Sequence, residues 1–152
     1  MLIVVRWYRT SRLCSRWHVP VVPKLIDYAI RLVFSCWLPH GVRAGSKLVL
    51  GYGGLGVIIH SDVEIGDNVH IDQGVTIGGN GTTYGVPCIE SNVYIGAGAK
   101  ILGPIRIGEG SIIGANAVVI RDVPPRSLSV GVPAKVIQSD INIETFLYHN
   151  RN

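Results

Sequence analysis

Isoleucine or valine returns every sixth residue from Ile59 onward, and no other feature of this 152-residue chain restricts its fold as much. In register the units read IHSDVE, IGDNVH, IDQGVT and IGGN, then, after an interruption, IESNVY, IGAGAK, ILGPIR, IGEGSI, IGANAV and VIRDVP. Their first position is Ile59, Ile65, Ile71, Ile77, Ile89, Ile95, Ile101, Ile107, Ile113 and Val119. An amphipathic helix repeats its apolar residues at three and four, and a half-buried strand at two, so this spacing belongs to neither. A six-residue unit is instead a short strand plus a turn, with one branched aliphatic pointing inward and glycine or a small polar residue where the chain bends. Three units close a triangular coil. Stacked coils bury a continuous aliphatic column, and each strand pairs with the strand one coil away, giving a mainly β, parallel β-solenoid.

Composition agrees: nineteen glycines against two phenylalanines favour strands and tight turns over a bulky aromatic core. The formal charge of +4 raises the question of nucleic acid, but arginine is concentrated before residue 45 without aromatic-basic interleaving, so no nucleic-acid partner is expected. Cys14, Cys36 and Cys88 form no CxxC or metal pattern, which fits reduced thiols in a cytoplasmic protein. The apolar run LIDYAIRLVFSCWL (25–38) would extend about 21 Å as a helix against a hydrocarbon core of about 30 Å, and it carries Asp27 and Arg31. Arg6 interrupts the opening apolar residues before they reach the length of a signal sequence, so export is not expected.

Three segments follow: a helical segment over 1–45, the solenoid over 46–137 with a loop at 79–88, and a tail over 138–152. Between Pro23 and Pro39, Leu25, Ala29, Leu32, Val33 and Cys36 define the apolar face of one helix, expected to pack on the end of the solenoid. Arg6, Arg9, Arg12 and Arg16 form a basic stripe if their segment is helical. Such a stripe suits a solvated face or subunit contact, or attraction to anionic headgroups on the inner face of a membrane.

The isoleucine-glycine hexads, GVTIGGNG, IGAGAKILGPI and VPPRSLSVGVPAKVI together resemble the hexapeptide-repeat acyltransferases, specifically their serine acetyltransferase branch, over about residues 40–137. The resemblance implies a left-handed β-helix, a homotrimer, and acetyl-CoA in the groove between subunits, with a histidine acting as general base on a hydroxyl that attacks the thioester directly. It also implies that Gly79 and Asn80 line the thioester end of the cofactor, that the backbone at Ala97 and Ala115 accepts the pantetheine amides, and that Lys135 meets the nucleotide phosphates. The chain departs from the family at the places of its Asp-His pair and loop histidine, which hold Tyr52, Gly53 and Val86 here. The closing HNRN also lacks the terminal isoleucine used to dock a sulfhydrylase, so that partner is not expected. Short relatives associated with polysaccharide synthesis share the GYGGLGVIIH phrase, and they keep a sugar hydroxyl open beside serine as acceptor.

Among the histidines, His18, His40 and His149 fall outside the repeats. His60 takes the second hexad position, usually glycine, eighteen residues and hence one coil before Gly78. That places it roughly 5 Å below Gly79 and Asn80, a workable distance for a general base. Asp62, Glu64 and Asp72 are candidates to orient it. His70 is expected to face outward into the groove of the site, where it and Asp72 are candidate substrate contacts, and Tyr84 in the loop is a candidate acceptor contact. Asn80 and Gly79 supply the oxyanion amides in this scheme. No metal is expected, because a catalytic zinc site needs about three converging protein ligands and only His60 and His70 lie on the solenoid. A noncatalytic trimeric scaffold is the remaining alternative.

Overall fold

A hexad spends two or three residues on a strand and the rest on a bend, so three hexads return the chain to its starting direction one layer on. The computed structural model describes residues 3–17 and 21–148 and contains about four such coils. The first holds β1 (Arg43–Ala44), β2 (Val49–Leu50) and β3 (Ile58–Ile59); the second β4 (Glu64–Ile65), β5 (His70–Ile71) and β6 (Thr76–Gly78). The third holds β7 (Cys88–Ile89), β8 (Tyr94–Ile95) and β9 (Lys100–Leu102); the fourth β10 (Arg106–Ile107), β11 (Ile112–Ile113) and β12 (Val118–Val119). A hairpin of β13 (Leu128–Gly131) and β14 (Ala134–Gln138) closes the stack. Helices α1 (Ile3–Arg16) and α2 (Val22–Phe34) precede it, and α3 (Ile143–Tyr148) follows. His18 and His149 lie outside the described residues.

Three faces result: β1-β4-β7-β10, then β2-β5-β8-β11 extended by β13 and β14, then β3-β6-β9-β12. Ile58 sits opposite Thr76, one coil on. Across the loop the separation grows by one hexad, Glu64 opposite Cys88 and Ile65 opposite Ile89. An excursion of one whole repeat keeps every inward residue inward, whereas a shift by one residue would turn the strand over. The ten first-position residues are accordingly all buried, as are Val63, Val69, Val75, Val93, Ala99 and Ala117 at the fifth position. The sequence places the solenoid's start at 46, and the first strand in fact begins at Arg43.

The corners are not equivalent. At the corner between the first and second faces, and at that between the second and third, most second hexad positions are glycine, with Glu90 and Asp72 the exceptions, and the next coil lies against them. An added Cβ would lie 2.6 Å from the Ser91 amide nitrogen at Gly66 and 2.7 Å from that of Ala115 at Gly96. At the third corner this position holds His60, Gly78, Leu102 and Ile120, and a Cβ on Gly78 would meet nothing nearer than the His60 Cβ at 3.7 Å. His60 therefore occupies a corner that never required glycine.

The N-terminal helices form an antiparallel pair tied to the first coil. Tyr8 is buried and donates to the Val42 carbonyl at 2.6 Å. The buried Asp27 carboxylate accepts from the Ser11 hydroxyl at 2.8 Å, from the His40 amide at 3.2 Å and from His40 Nδ1 at 2.5 Å. These bonds fix the rotation of α2, and they reverse part of the expected face: Leu25, Leu32 and Val33 are 61%, 82% and 64% exposed. Pro23, Asp27 and Ile30 are buried instead. Helix α2 carries two apolar arcs, and a hydrophobic pattern alone does not say which one a buried polar network will turn inward.

Contrasting glycine substitutions test the corner geometry. Gly66→Ala is expected to lower the unfolding free energy by about 1–3 kcal/mol, since backbone must move to admit the methyl. Gly78→Ala should stay within about 0.5 kcal/mol of the parent in the same urea titration.

Candidate active site

At the third corner the ladder holds His60 directly below the end of β6, its amide donating to the Ile77 carbonyl at 2.9 Å. The chain then leaves the wall and returns at Cys88, enclosing a cleft of about 550 Å³ lined by His60, Asp62, Gly79, Thr83, Tyr84 and their loop neighbours. The Asn80 side chain is engaged locally: its Oδ1 accepts from the amides of Thr82 at 3.1 Å and Thr83 at 2.9 Å. Gly103 leaves room for it, for a Cβ there would lie 2.9 Å from Asn80 Nδ2. The side-chain oxygen of Asn80 is thus already occupied. Among the described residues the Gly79 and Asn80 amides have no backbone acceptor, as donors for a developing oxyanion require. Tyr84 is fully exposed on the loop.

The protonation of His60 follows from its neighbours. Its Nδ1 accepts from the Asp62 amide at 3.2 Å, so the neutral ring carries its proton on Nε2. The Asp62 carboxylate is 3.9 Å from the same nitrogen, and both side chains are largely exposed. His60 in this state presents a donor rather than a lone pair to the cleft, which departs from the general-base role that its spacing suggested.

The second corner gathers a different set. Gly51 to Gly56, Asp72 to Gly74, Gly96 to Gly98 and Gly114 to Asn116 stack on one another, with Gly98 donating to the Gln73 carbonyl and Asn116 to that of Ala97, each at 2.8 Å. Ala97 and Ala115 therefore lie one coil apart on one edge, as the repeat requires. The β13–β14 hairpin continues this edge, Gly114 lying against Val130, and Lys135 stands exposed opposite Val130 on β14. Gln73 adds an unsatisfied group: its Oε1 is buried without a hydrogen-bond partner.

Beside that edge, on the outer side of the second face, His70, Asp72 and Tyr94 form one cluster. Asp72 Oδ1 is 3.1 Å from His70 Nε2, and the Tyr94 hydroxyl donates to Asp72 Oδ2 at 2.5 Å. The two rings lie 5.1 Å apart, one coil above the other. Burial pushes the Tyr94 phenol up to about 12, and its hydrogen bond to Asp72 and the charge of that carboxylate add to the effect. Sequence spacing offered Asp72 as a partner for His60; the fold gives it to His70. The pair was legible only as two outward positions flanking Ile71. The Asp27–His40 pair was missed because its members come from a helix and a coil start with no shared periodicity. Among the described residues no group of three or more histidine, cysteine, aspartate or glutamate side chains converges.

The sequence-predicted residues thus divide between two edges of one chain: His60, Gly79, Asn80 and Tyr84 on one, and His70, Asp72, Ala97, Ala115 and Lys135 along the other.

Comparison with known proteins locates this arrangement. The sequence profile of the bacterial transferase hexapeptide family (six repeats) matches residues 89–121, the third and fourth coils. The chain is 41% identical over 132 residues to a serine acetyltransferase of Synechococcus elongatus, covering 86% of this chain and 54% of that protein. It is 37% identical over 135 residues to that of Helicobacter pylori, covering 88% of this chain and 78% of the relative. A crystal structure of the Brucella abortus serine acetyltransferase in complex with coenzyme A superimposes with a TM-score of 0.84 at 33% identity, over 89% of this chain and 54% of that one. The chain spans about half the length of the Synechococcus and Brucella proteins.

Spectrophotometric titration tests the cluster. Tyr94 should titrate at about 12 rather than at the ordinary 10.0, and Asp72→Asn should bring it back toward the ordinary value. Because its folded pKa is raised, Tyr94 contributes stability that is complete below pH 10.0 and is lost as pH rises through about 12.

Proposed function

The chain belongs to the serine acetyltransferase family of hexapeptide transferases, and on that premise we propose that it transfers the acetyl group of acetyl-CoA to the hydroxyl of L-serine. The observation that carries this reading is the division of the site between two edges of the solenoid. Neither edge alone is a complete transferase site. In a homotrimer the cleft of one subunit faces the cofactor edge of the next, and the two halves meet at each seam. Acetyl-CoA lies along the second corner, its pantetheine arm against the backbone of Ala97 and Ala115 and its nucleotide phosphates near Lys135. Its thioester reaches the Gly79 and Asn80 amides of the neighbouring copy, which take the developing oxyanion. His60 Nε2–H adds a third donor there, a role that its occupied Nδ1 leaves open. Thr83 and Tyr84 border the acceptor from the loop.

The helical end gives this enzyme a second contact. Ile3 and Leu13 on α1 and Trp17 just after it are exposed among Arg6, Arg9 and Arg16, and Leu25, Tyr28, Leu32 and Val33 are exposed on α2 beside Lys24 and Arg31. The only acid on either helix, Asp27, is buried. No helix among the described residues is long and apolar enough to cross a membrane. An apolar surface edged solely by cations suits peripheral attachment to an anionic bilayer from the cytoplasmic side.

Release of CoA from acetyl-CoA, measured with L-serine beside a panel of sugars and nucleotide sugars, tests the activity. Serine-dependent release supports it, and release with a sugar alone overturns serine as acceptor. His60→Gln should retain several-fold more turnover than His60→Ala, whose loss is about ten- to hundredfold, because glutamine keeps a donor. Lys135→Ala should raise KM for acetyl-CoA about three- to tenfold at unchanged kcat. For the helical end, sedimentation with phosphatidylserine vesicles should be strong at low salt and abolished in the double variant Arg9→Glu, Arg16→Glu.

A further inference from the structure

The donor state of His60 leaves the acetyl transfer without a group to take the serine proton, and one cluster in the fold has the properties that such a group needs. We propose that His70 is the general base of this reaction, oriented by Asp72 and Tyr94; the assignment rests on the acetyltransferase function proposed above.

Three observations carry it. The Asp72 carboxylate can only accept, so the ring nitrogen 3.1 Å from it, Nε2, must bear the proton, and Nδ1 is left with a lone pair. Among the described residues Nδ1 makes no hydrogen bond. Asp72 is itself held, with Tyr94 donating to its second oxygen and the Gly51 backbone so close that a Cβ there would lie 2.5 Å from Oδ1. The side chains are 34% and 18% exposed for His70 and Asp72, respectively, so the base is reachable while its carboxylate is largely shielded from water. Finally, the cluster flanks the corner that carries Ala97 and Ala115, and Gln73 beside it keeps a buried acceptor unfilled.

His40 shares the carboxylate contact but not the surroundings. Its partner Asp27 is also bound to Ser11 and to the His40 amide, joining both helices to the first coil. That arrangement is a structural clamp, and it lies off the edge that carries Ala97 and Ala115.

The step balances as follows. His70 Nδ1 takes the serine hydroxyl proton as the oxygen bonds to the thioester carbonyl carbon, giving an imidazolium paired with Asp72 and a tetrahedral oxyanion. Collapse of the oxyanion breaks the carbon–sulfur bond. The proton passes from Nδ1 to the departing sulfur, leaving O-acetylserine, CoA thiol and neutral His70, with Asp72 ionised throughout.

His70→Gln and Asp72→Asn, both near in size to the parent side chains, test this beside His70→Ala. For His70→Ala and His70→Gln, kcat should fall about a thousandfold, while Kd for acetyl-CoA by calorimetry stays within threefold. Asp72→Asn should cost about ten- to a hundredfold in kcat, since it frees the tautomer without removing the base. The titratable groups against the ring are Asp72 on its own chain turn and Tyr94 on β8, while β2 places only Val49 opposite. The acid limb of kcat/KM should therefore vanish in His70→Gln. A His70→Gln enzyme within fivefold of the parent, or one that keeps the acid limb, overturns the assignment. Nitrogen NMR of the ring tests the geometry independently of turnover. Neutral His70 protonated on Nε2 supports the proposal and protonation on Nδ1 overturns it, even if the parent acetylates no acceptor and the function proposed above fails.

Discussion

Hydrogen bonding between strands one coil apart is the constraint on which the rest of this molecule depends. Ile58 donates to the Val75 carbonyl, Thr76 to that of Ala99 and Lys100 to that of Ala117, at 2.8–2.9 Å. Buried peptide groups have no other partners in a solenoid, so each coil must repeat the path of the one below it. The consequences are local and specific. Glycine holds most second hexad positions where the next coil lies close, and the one-hexad excursion between β6 and β7 leaves the wall without turning a strand over. A corner with slack can carry side chains, and the loop and its cleft emerge at that corner.

Carboxylates then decide what the histidines can do. Asp27 fixes His40 and, through Ser11, the rotation of α2. Asp72 fixes His70 in the tautomer with a free Nδ1. His60 has no carboxylate within hydrogen-bonding distance and is instead held by the Asp62 amide through Nδ1. Similar rings thus become a clamp, a base and a donor. The difference lies in which nitrogen is occupied and by what, a property that residue type and spacing do not encode.

Much of the fold was legible because the aliphatic column has a single period: the inward residues, the loop position and the stacking of Ala97 over Ala115 all follow from counting. The helical end was legible in kind but not in rotation. Helix α2 has two apolar arcs, and Leu25 and Leu32 were expected inside, whereas Asp27 and Ile30 are there instead. At the site, His60 was correctly placed beside Gly78 and the loop, but its chemistry turns on a backbone amide two residues away. Asp72 was one of three carboxylates offered as partners for His60, and it lies beside His70 instead, because the reach of a side chain along an outer face depends on the strand direction and on the Tyr94 ring stacked above it.

The sequence by itself determined that this chain is a parallel solenoid and which residues form the solenoid's aliphatic column, since burial of a six-residue aliphatic period has one economical solution, and its motifs resemble those of the hexapeptide transferases. Only the tertiary structure decided which corners need glycine, which face of α2 turns inward, and which nitrogen of each histidine is free. Those outcomes depend on contacts of a few ångströms between residues a coil or more apart, where one carboxylate or amide selects among arrangements that the hydrophobic pattern leaves equal.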